Sequence, residues 1–390
     1  MGPRGGCDDG GMIPFDICGP GRILFGRGRA AAALGLIAGF GVRGVLVHGA
    51  NPLRAAWLVD ALRSAGVAVL QLTCHGEPTL AAVEAATAAA RGFGALWVIG
   101  IGGGSVLDLA KAVAALAPAQ SEVLDHLEIV GRGLPLAKMP LPFIAIPTTA
   151  GTGAEATRNA VIGVPASGRK VSLRDDRMFA RIAVVDPGLT DHCPRNVTLS
   201  SGMDALTQVI EPFVSCKATP FTDAITWPVI APGLAALKVL MAGEDAGARD
   251  ALAWCSVTGG VALANAGLGA VHGLAGVIGG QTGAAHGAIC GALLGPVLAM
   301  NRRRTEGAAR ARIDAVCGLI AGVFGGTADE APQVLADWAR GQGLPGLEAQ
   351  GLARGSFGAV AEASALSSSM KGNPVGLGVA DLVAVLEQAA

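Results

Sequence analysis

Tyrosine is absent from this 390-residue chain, charged residues make up only 15% of it, and the formal net charge is -1. The first absence excludes any chemistry in which a phenol acts as general acid, Tyr/Lys catalytic pairs included. The second removes the basic footprint that a nucleic-acid partner requires. Arg302, Arg303 and Arg304 form the one tight basic run, which reads as a solvated helix end. Paired cysteines are missing too. Cys7, Cys18, Cys74, Cys193, Cys216, Cys255, Cys290 and Cys317 are scattered, with no CxxC. That spacing argues against a disulfide scaffold and a cysteine zinc site, and for most of them being small buried thiols in a reducing, cytoplasmic compartment. Apolar stretches are broken by Gly, Pro or charge before the ~18 residues a helical span needs, so no membrane partner is expected. Residues Met1 to Gly11 are glycine-rich, carry Asp8 and Asp9, and lack a basic-then-apolar signal pattern.

What the chain does have is apolar content, 51% of its residues, and enough length for two domains. The first half alternates short apolar runs with helical spacing. Strands are expected at Gly44–His48, Val67–Thr73, Ala95–Ile101 and Pro142–Pro147. Helices are expected at Pro52–Ala65, Leu80–Arg91 and Ser105–Leu116. Such alternation implies βαβ units and a parallel sheet. Later segments read as helices only: Leu199–Val214, Ala231–Met241, Asp250–Asn265, Arg310–Phe324, Ala331–Gln342 and Ala380–Ala389. The expected organisation is a tail over 1–12, an α/β domain over 13–193, and an all-helical domain over 194–390.

Two glycine-bearing loops follow strands. In Val98-Ile99-Gly100-Ile101-Gly102-Gly103-Gly104-Ser105-Val106-Leu107-Asp108, an apolar run ends in three glycines and Ser105 opens a helix. Small residues let backbone N–H groups reach a pyrophosphate, and the helix start adds free donors. The pattern is neither GxGxxG nor a P-loop, since Lys111 lies too far along. A Gly-rich turn that binds nothing is the bland alternative. The second loop, Pro147 to Glu155 (PTTAGTGAE), places Thr148, Thr149 and Thr152 where hydroxyls could line a nucleotide groove, or merely cap a turn. Ligands of open α/β sheets sit at successive strand ends, which favours the two loops acting together.

Asp204 and Gln208, four apart in a helical segment, share a face. His272 and His286 are fourteen apart, and Gly279, Gly280 and Gly283 between them argue for two helix ends converging rather than one helix. One carboxylate with two imidazoles is a common donor set for Fe(2+) or Zn(2+). Taken alone, each histidine reads more readily as a hydrogen-bonded core residue than as a ligand.

Together these segments resemble the iron-containing (group III) alcohol dehydrogenases, over nearly the whole chain from about Phe15. The resemblance rests on GGGSVLDLAK (Gly102 to Lys111), PTTAGTGAEAT (Pro147 to Thr157), Lys170 in RKVSL, VDPGLT (Val185 to Thr190), GMDALTQ (Gly202 to Gln208), and paired His272 and His286. It implies a parallel-sheet cofactor domain, an all-α metal domain with the active site in the cleft between them, and a homodimer or larger assembly. By resemblance, Gly103, Gly104 and Ser105 hold the pyrophosphate of NAD or NADP, with Asp108 in the same motif. Thr148, Thr149 and Thr152 line the nucleotide site, and Lys170 reaches the ribose near the nicotinamide. Asp204, His272 and His286 match three of four metal ligands and form the catalytic centre, with Gln208 at the fourth position. The implied reaction interconverts a small-molecule alcohol and its aldehyde or ketone.

Three departures stand out. Gln208 replaces a histidine, which marks a subgroup with a neutral, weaker donor. Gly276 stands where many members carry a further histidine near the nicotinamide. Gly49 aligns with a strand-end Asp that would repel a 2′-phosphate, so NADP becomes admissible. A maleylacetate reductase-like activity on the same fold, with little metal need, would want cations such as Arg158 and Arg195 facing a dicarboxylate. A dehydroquinate synthase-like lyase would want several lysines in the helical half, which is poor in them. A nucleotide binder with a decayed metal site is the non-catalytic alternative.

Overall fold

The computed structural model describes residues 14–390. The expected tail over 1–12, Cys7 included, lies outside the described residues. Six parallel strands form one sheet: β1 (Ile23–Phe25), β2 (Arg43–His48), β3 (Ala68–Thr73), β4 (Trp97–Gly102), β5 (Phe143–Pro147) and β8 (Ile182–Val185), in the order β1-β8-β5-β4-β2-β3. Between β5 and β8 the chain makes a separate antiparallel hairpin, β6 (Asn159–Val164) with β7 (Arg169–Arg174). The short helices α1 (Arg29–Ala32) and α2 (Leu34–Ala38), then α3 (Leu53–Ser64), α4 (Leu80–Phe93), α5 (Gly104–Leu116) and α6 (Val123–His126) make the crossovers.

The apolar runs are continuous rather than alternating because both sheet faces are covered. Val45, Val47, Val98, Ala145 and Ala183 join one core with Val83 of α4 and Leu107 of α5. Their neighbours Leu46, Ile99, Ile144, Ile146 and Val184 join the opposite core with Ile37, Leu58 and Leu62. From β2 the chain steps outward to β3, then returns to place β4 on the other side of β2. The carboxyl ends of β2 and β4 therefore flank the point where strand order reverses, the crevice in which such sheets bind ligands.

From Arg195 onward the described elements are helical: α7 (Arg195–Val214), α8 (Pro220–Ala242), α9 (Ala246–Ala266), α10 (Ala270–Thr282), α11 (His286–Arg304), α12 (Gly307–Phe324), α13 (Ala331–Gly341), α14 (Phe357–Ala365) and α15 (Val379–Ala389), with short 3-10 turns among them. α8 departs most from expectation. It begins at Pro220, not Ala231, and runs through Pro228 and Pro232. Its start is fixed by a reciprocal cap in which Thr219 and Thr222 bond each other's backbone, and it packs along α7 and α9. It is long and apolar enough to cross a membrane by length and composition. That corrects the expectation that every apolar stretch falls short of span length. Half of the apolar window is buried inside the protein. The basic run ends α11, where Arg302 pairs with Asp314 and Asp329, and Arg304 with Asp381.

Candidate metal and nucleotide site

At the sheet crevice, β4 passes directly into α5 through Gly103, whose extended backbone precedes the first helical turn. The free N–H groups of that turn belong to Gly104, Ser105 and their neighbours. The threonine loop lies against this turn. A Cβ on Gly104 would come within 2.7 Å of the Thr152 side chain, and one on Gly103 within 3.4 Å of Thr149 Oγ1. Thr148 is held by its N–H to the Gly102 carbonyl at 3.0 Å. On its far side the loop meets the helices. Gly153 takes a left-handed φ of 57° and packs so closely on Gly260 of α9 that a Cβ there would lie 2.6 Å from the Gly260 Cα. Small residues of this loop thus seat the sheet on the helical half.

Beneath the loops lies a buried polar cluster. Lys111 Nζ donates to the Ala154 carbonyl, Thr157 Oγ1 and the Asn159 carbonyl at 2.7, 2.9 and 2.8 Å. Burial pulls its pKa down to about 8 despite the nearby Asp108 and Glu155 carboxylates. Burial likewise pushes Glu155 up to about 7 and Asp108 up to about 6. Asp108 Oδ2 accepts the Val161 N–H at 3.1 Å and so ties α5 to β6. Lys170 on β7 pairs with Glu77 at 2.5 Å. Its ammonium also rests on α10, within 3.1 Å of where a Gly279 Cβ would stand. Gly49 follows β2, and a Cβ there meets only Val106, at 3.9 Å. His48, buried beside it, has Nδ1 2.6 Å from the Gly49 carbonyl oxygen.

The metal candidates come from three helices. Asp204 and Gln208 sit one turn apart on α7, His272 lies in the first turn of α10, and His286 opens α11. Asp204 Oδ1 is 3.3 Å from His272 Nε2 and 3.9 Å from His286 Nε2. Gly287 permits this, since a Cβ there would lie 2.2 Å from the Ser200 carbonyl oxygen and 3.2 Å from the Asp204 Cβ. Asp204, Gln208 and His272 are all buried, and Asp204 Oδ1, Gln208 Oε1 and His272 Nε2 have no hydrogen-bond partner. Unpaired polar atoms are costly in a protein interior, and the facing Asp204 Oδ1 and His272 Nε2, with the Gln208 amide one turn along α7, fit a divalent cation.

Three residues that sequence reasoning missed complete the cluster. Glu211, two turns after Asp204 on the same face of α7, accepts the Val271 N–H through Oε1 and the His272 Nδ1–H through Oε2, both at 2.7 Å. This fixes both the start of α10 and the imidazole tautomer. Asn373 accepts the Ala270 N–H at 3.1 Å and shares two hydrogen bonds with Asn301, bracing the same helix start. Cys290, one turn after His286, has Sγ 3.6 Å from His286 Nε2. Burial acts against charge on His272 and His286, yet Cys290 and the neighbouring carboxylates outweigh it and raise both pKa values, His286 to about 9. The site draws positive charge. Asp204 follows the same logic: burial alone would raise its pKa, but the two histidines and the Gln208 amide hold it down.

A family model for "Iron-containing alcohol dehydrogenase" matches residues 20–187, and its C-terminal counterpart matches 198–390. The chain belongs to the iron-containing alcohol dehydrogenase family. A probable alcohol dehydrogenase EutG of Escherichia coli is 38% identical over 264 residues, 67% of this chain and 65% of that relative. The chain thus aligns with a little under two thirds of that relative's length. A 4-hydroxybutyrate dehydrogenase of Cupriavidus necator is 31% identical over 337 residues, 85% of this chain and 87% of the relative. Among solved structures, a 1,3-propanediol oxidoreductase superposes with TM-score 0.87 at 26% identity, covering 97% of this chain and 100% of its own.

Against the family pattern, a Cβ at Gly276 meets nothing within 4 Å, so this position opens onto free space. Arg158 pairs with Asp176 at 2.5 Å, and Arg195 donates to the backbone and side chain of Gln342 at 2.7 and 2.6 Å. Both cations that a dicarboxylate substrate would need are engaged elsewhere, so the maleylacetate reductase alternative is not favoured.

Proposed function

We propose that this chain is an NAD(P)-dependent oxidoreductase that interconverts a small-molecule alcohol and its aldehyde or ketone at a centre built on Asp204, His272 and His286. The observation that carries the proposal is the convergence of unpaired buried donors, Asp204 Oδ1 and His272 Nε2, beside His286. These residues hold the ion, Fe(2+) or Zn(2+), with the Gln208 amide oxygen as a neutral neighbour. When bound, the ion supplies Lewis acidity to the substrate oxygen and the nicotinamide supplies the hydride acceptor.

The chain's own residues do the rest. Gly103, Gly104 and Ser105 offer backbone N–H groups to a pyrophosphate. Thr148, Thr149 and Thr152 line the groove beside them, and Lys170 presents an ammonium between the cofactor half and α10. Glu211 holds His272 in one tautomer. His286 is the more open of the two imidazoles, with its side chain 36% exposed, so it borders the space a substrate would enter. Gly276 offers no side-chain relay, which leaves the substrate proton to water or the cofactor ribose. Gly49 carries no carboxylate to repel a 2′-phosphate, so both NAD and NADP are admitted.

The division into a cofactor domain over 13–193 and a metal domain over 194–390 belongs to the same proposal. It is supported by the separate apolar cores of the sheet and of the helices. Cytoplasmic location and assembly as a homodimer or larger homo-oligomer complete it. Trp254, 47% exposed, lines a groove with Ile225, Pro228 and Pro232, an apolar face of the kind that pairing covers. Following NADH or NADPH consumption with a panel of aldehydes, before and after chelation, tests the proposal. Metal-dependent turnover supports it, and full turnover without metal sinks it.

A further inference from the structure

We propose that the Cys290 thiolate is the fourth protein ligand of the metal centre, in the coordination position that Gln208 leaves weakly filled. The proposal rests on the reading of Asp204, His272 and His286 as a metal site and adds a charged sulfur donor to it.

The geometry is that of one coordination sphere. One donor atom from each of Asp204, His272, His286 and Cys290 lies within 4.8 Å of all the others. The distances are 3.3 Å from Asp204 Oδ1 to His272 Nε2, 3.9 Å from Asp204 Oδ1 to His286 Nε2, and 3.6 Å from His286 Nε2 to Cys290 Sγ. A tetrahedral ion with bonds of about 2.0–2.3 Å requires donor separations of about 3.3–3.7 Å. The remaining separations lie within 4.8 Å, so the cluster meets that requirement by closing about 1 Å or less around the ion. Cys290 reaches the site for a simple reason: His286 and Cys290 are four residues apart on α11, so their side chains share one face.

The surroundings point to the same role. Cys290 is fully buried, and among the described residues its one hydrogen-bond contact is the His286 ring. Asp204 Oδ1 and His272 Nε2, both more than nine-tenths buried, are left without partners beside it. Charge decides between sulfur and amide. Gln208 brings a neutral oxygen, whereas a thiolate adds a negative charge in a low-dielectric site and is the softer, stronger donor for zinc-like ions. Asp204 and Cys290 together neutralise a divalent ion that Asp204 alone would leave with one net positive charge. Binding releases the Cys290 thiol proton to solvent as the S–metal bond forms, with no change of oxidation state.

Cobalt(II) substitution of the purified full chain tests this without reference to turnover. A thiolate ligand gives an intense near-ultraviolet sulfur-to-cobalt charge-transfer band. The band is expected in the wild type at one cobalt per chain, absent in Cys290→Ala and Cys290→Ser, and kept in Gln208→Ala. X-ray absorption of the zinc-loaded wild type, which needs no variant to fold, should resolve one sulfur at about 2.3 Å. Stoichiometric cobalt without the band, or a zinc shell of nitrogen and oxygen only, overturns the Cys290 ligand and leaves the metal centre standing. Failure of the folded wild type to bind cobalt or zinc at all overturns both.

Discussion

His272 is gripped by Glu211: its Nδ1 donates to the Glu211 carboxylate at 2.7 Å, which turns Nε2 toward Asp204 Oδ1 at 3.3 Å. The same carboxylate accepts the Val271 N–H, so one side chain of α7 sets both where α10 begins and how its imidazole faces.

Glu211→Gln keeps the shape and removes the charge. Losing such a partner of a ligating histidine weakens metal binding by roughly 10–100-fold. Competitive titration with a chromophoric chelator measures it. Unchanged affinity with native circular dichroism would mean that Glu211 only caps α10.

Lys111→Met replaces a buried ammonium by a side chain of similar length. It strips the donor from the Ala154 and Asn159 carbonyls and from Thr157, which should cost about 3 kcal/mol of stability. Urea unfolding reads this directly. A midpoint like the wild type's would show that water replaces the ammonium at no cost.

Glu155 gives the fold a pH dependence of known sign. Its pKa is pushed by burial from 4.5 to about 7. Below the ordinary value both folded and unfolded chains carry the proton, and nothing is lost. As pH climbs toward about 7 the unfolded chain ionises first, and the fold loses up to about 3 kcal/mol. Glu155→Gln lacks that loss, so its melting temperature should gain on the wild type between about pH 5 and pH 8. Parallel melting profiles across that window would contradict the assignment.

Gly49→Asp restores a carboxylate at the end of β2, where a Cβ meets only Val106 at 3.9 Å. It should weaken NADPH binding about tenfold or more while sparing NADH, read by fluorescence titration of each cofactor. Equal weakening of both would place the adenosine ribose elsewhere.

Much of this architecture is legible in the sequence because it is locally encoded. β2 to β5 are apolar runs closed by Gly, Pro or Asn, and α4, α5, α12 and α15 follow helical spacing closely. β1 escaped notice because it is three residues long, and β8 because the apolar run is four residues. The β6–β7 hairpin is hidden because β6 (NAVIGV) carries apolar residues on both faces, Val161 included, although burial alternates along both strands. α8 was shortened by Pro228 and Pro232, which local rules treat as breakers and tertiary packing tolerates. The site was legible where residue types are rare: with six histidines in the chain, His272 and His286 stood out. Glu211 and Cys290 did not, because their roles depend on three helices meeting. Their spacing from Asp204 and His286, seven and four residues, was the available signal.

The central claim is that Asp204, His272 and His286 hold a divalent ion on which turnover depends. Elemental analysis of the purified wild type and of Asp204→Ala, paired with NAD(P)H-linked turnover of each and of the chelated wild type, tests it most directly. The expected result is about one iron or zinc per wild-type chain, little in the variant, and turnover lost with the metal and regained on adding it back. A wild type that is metal-free and fully active, or an Asp204→Ala variant that retains both metal and turnover, would contradict it.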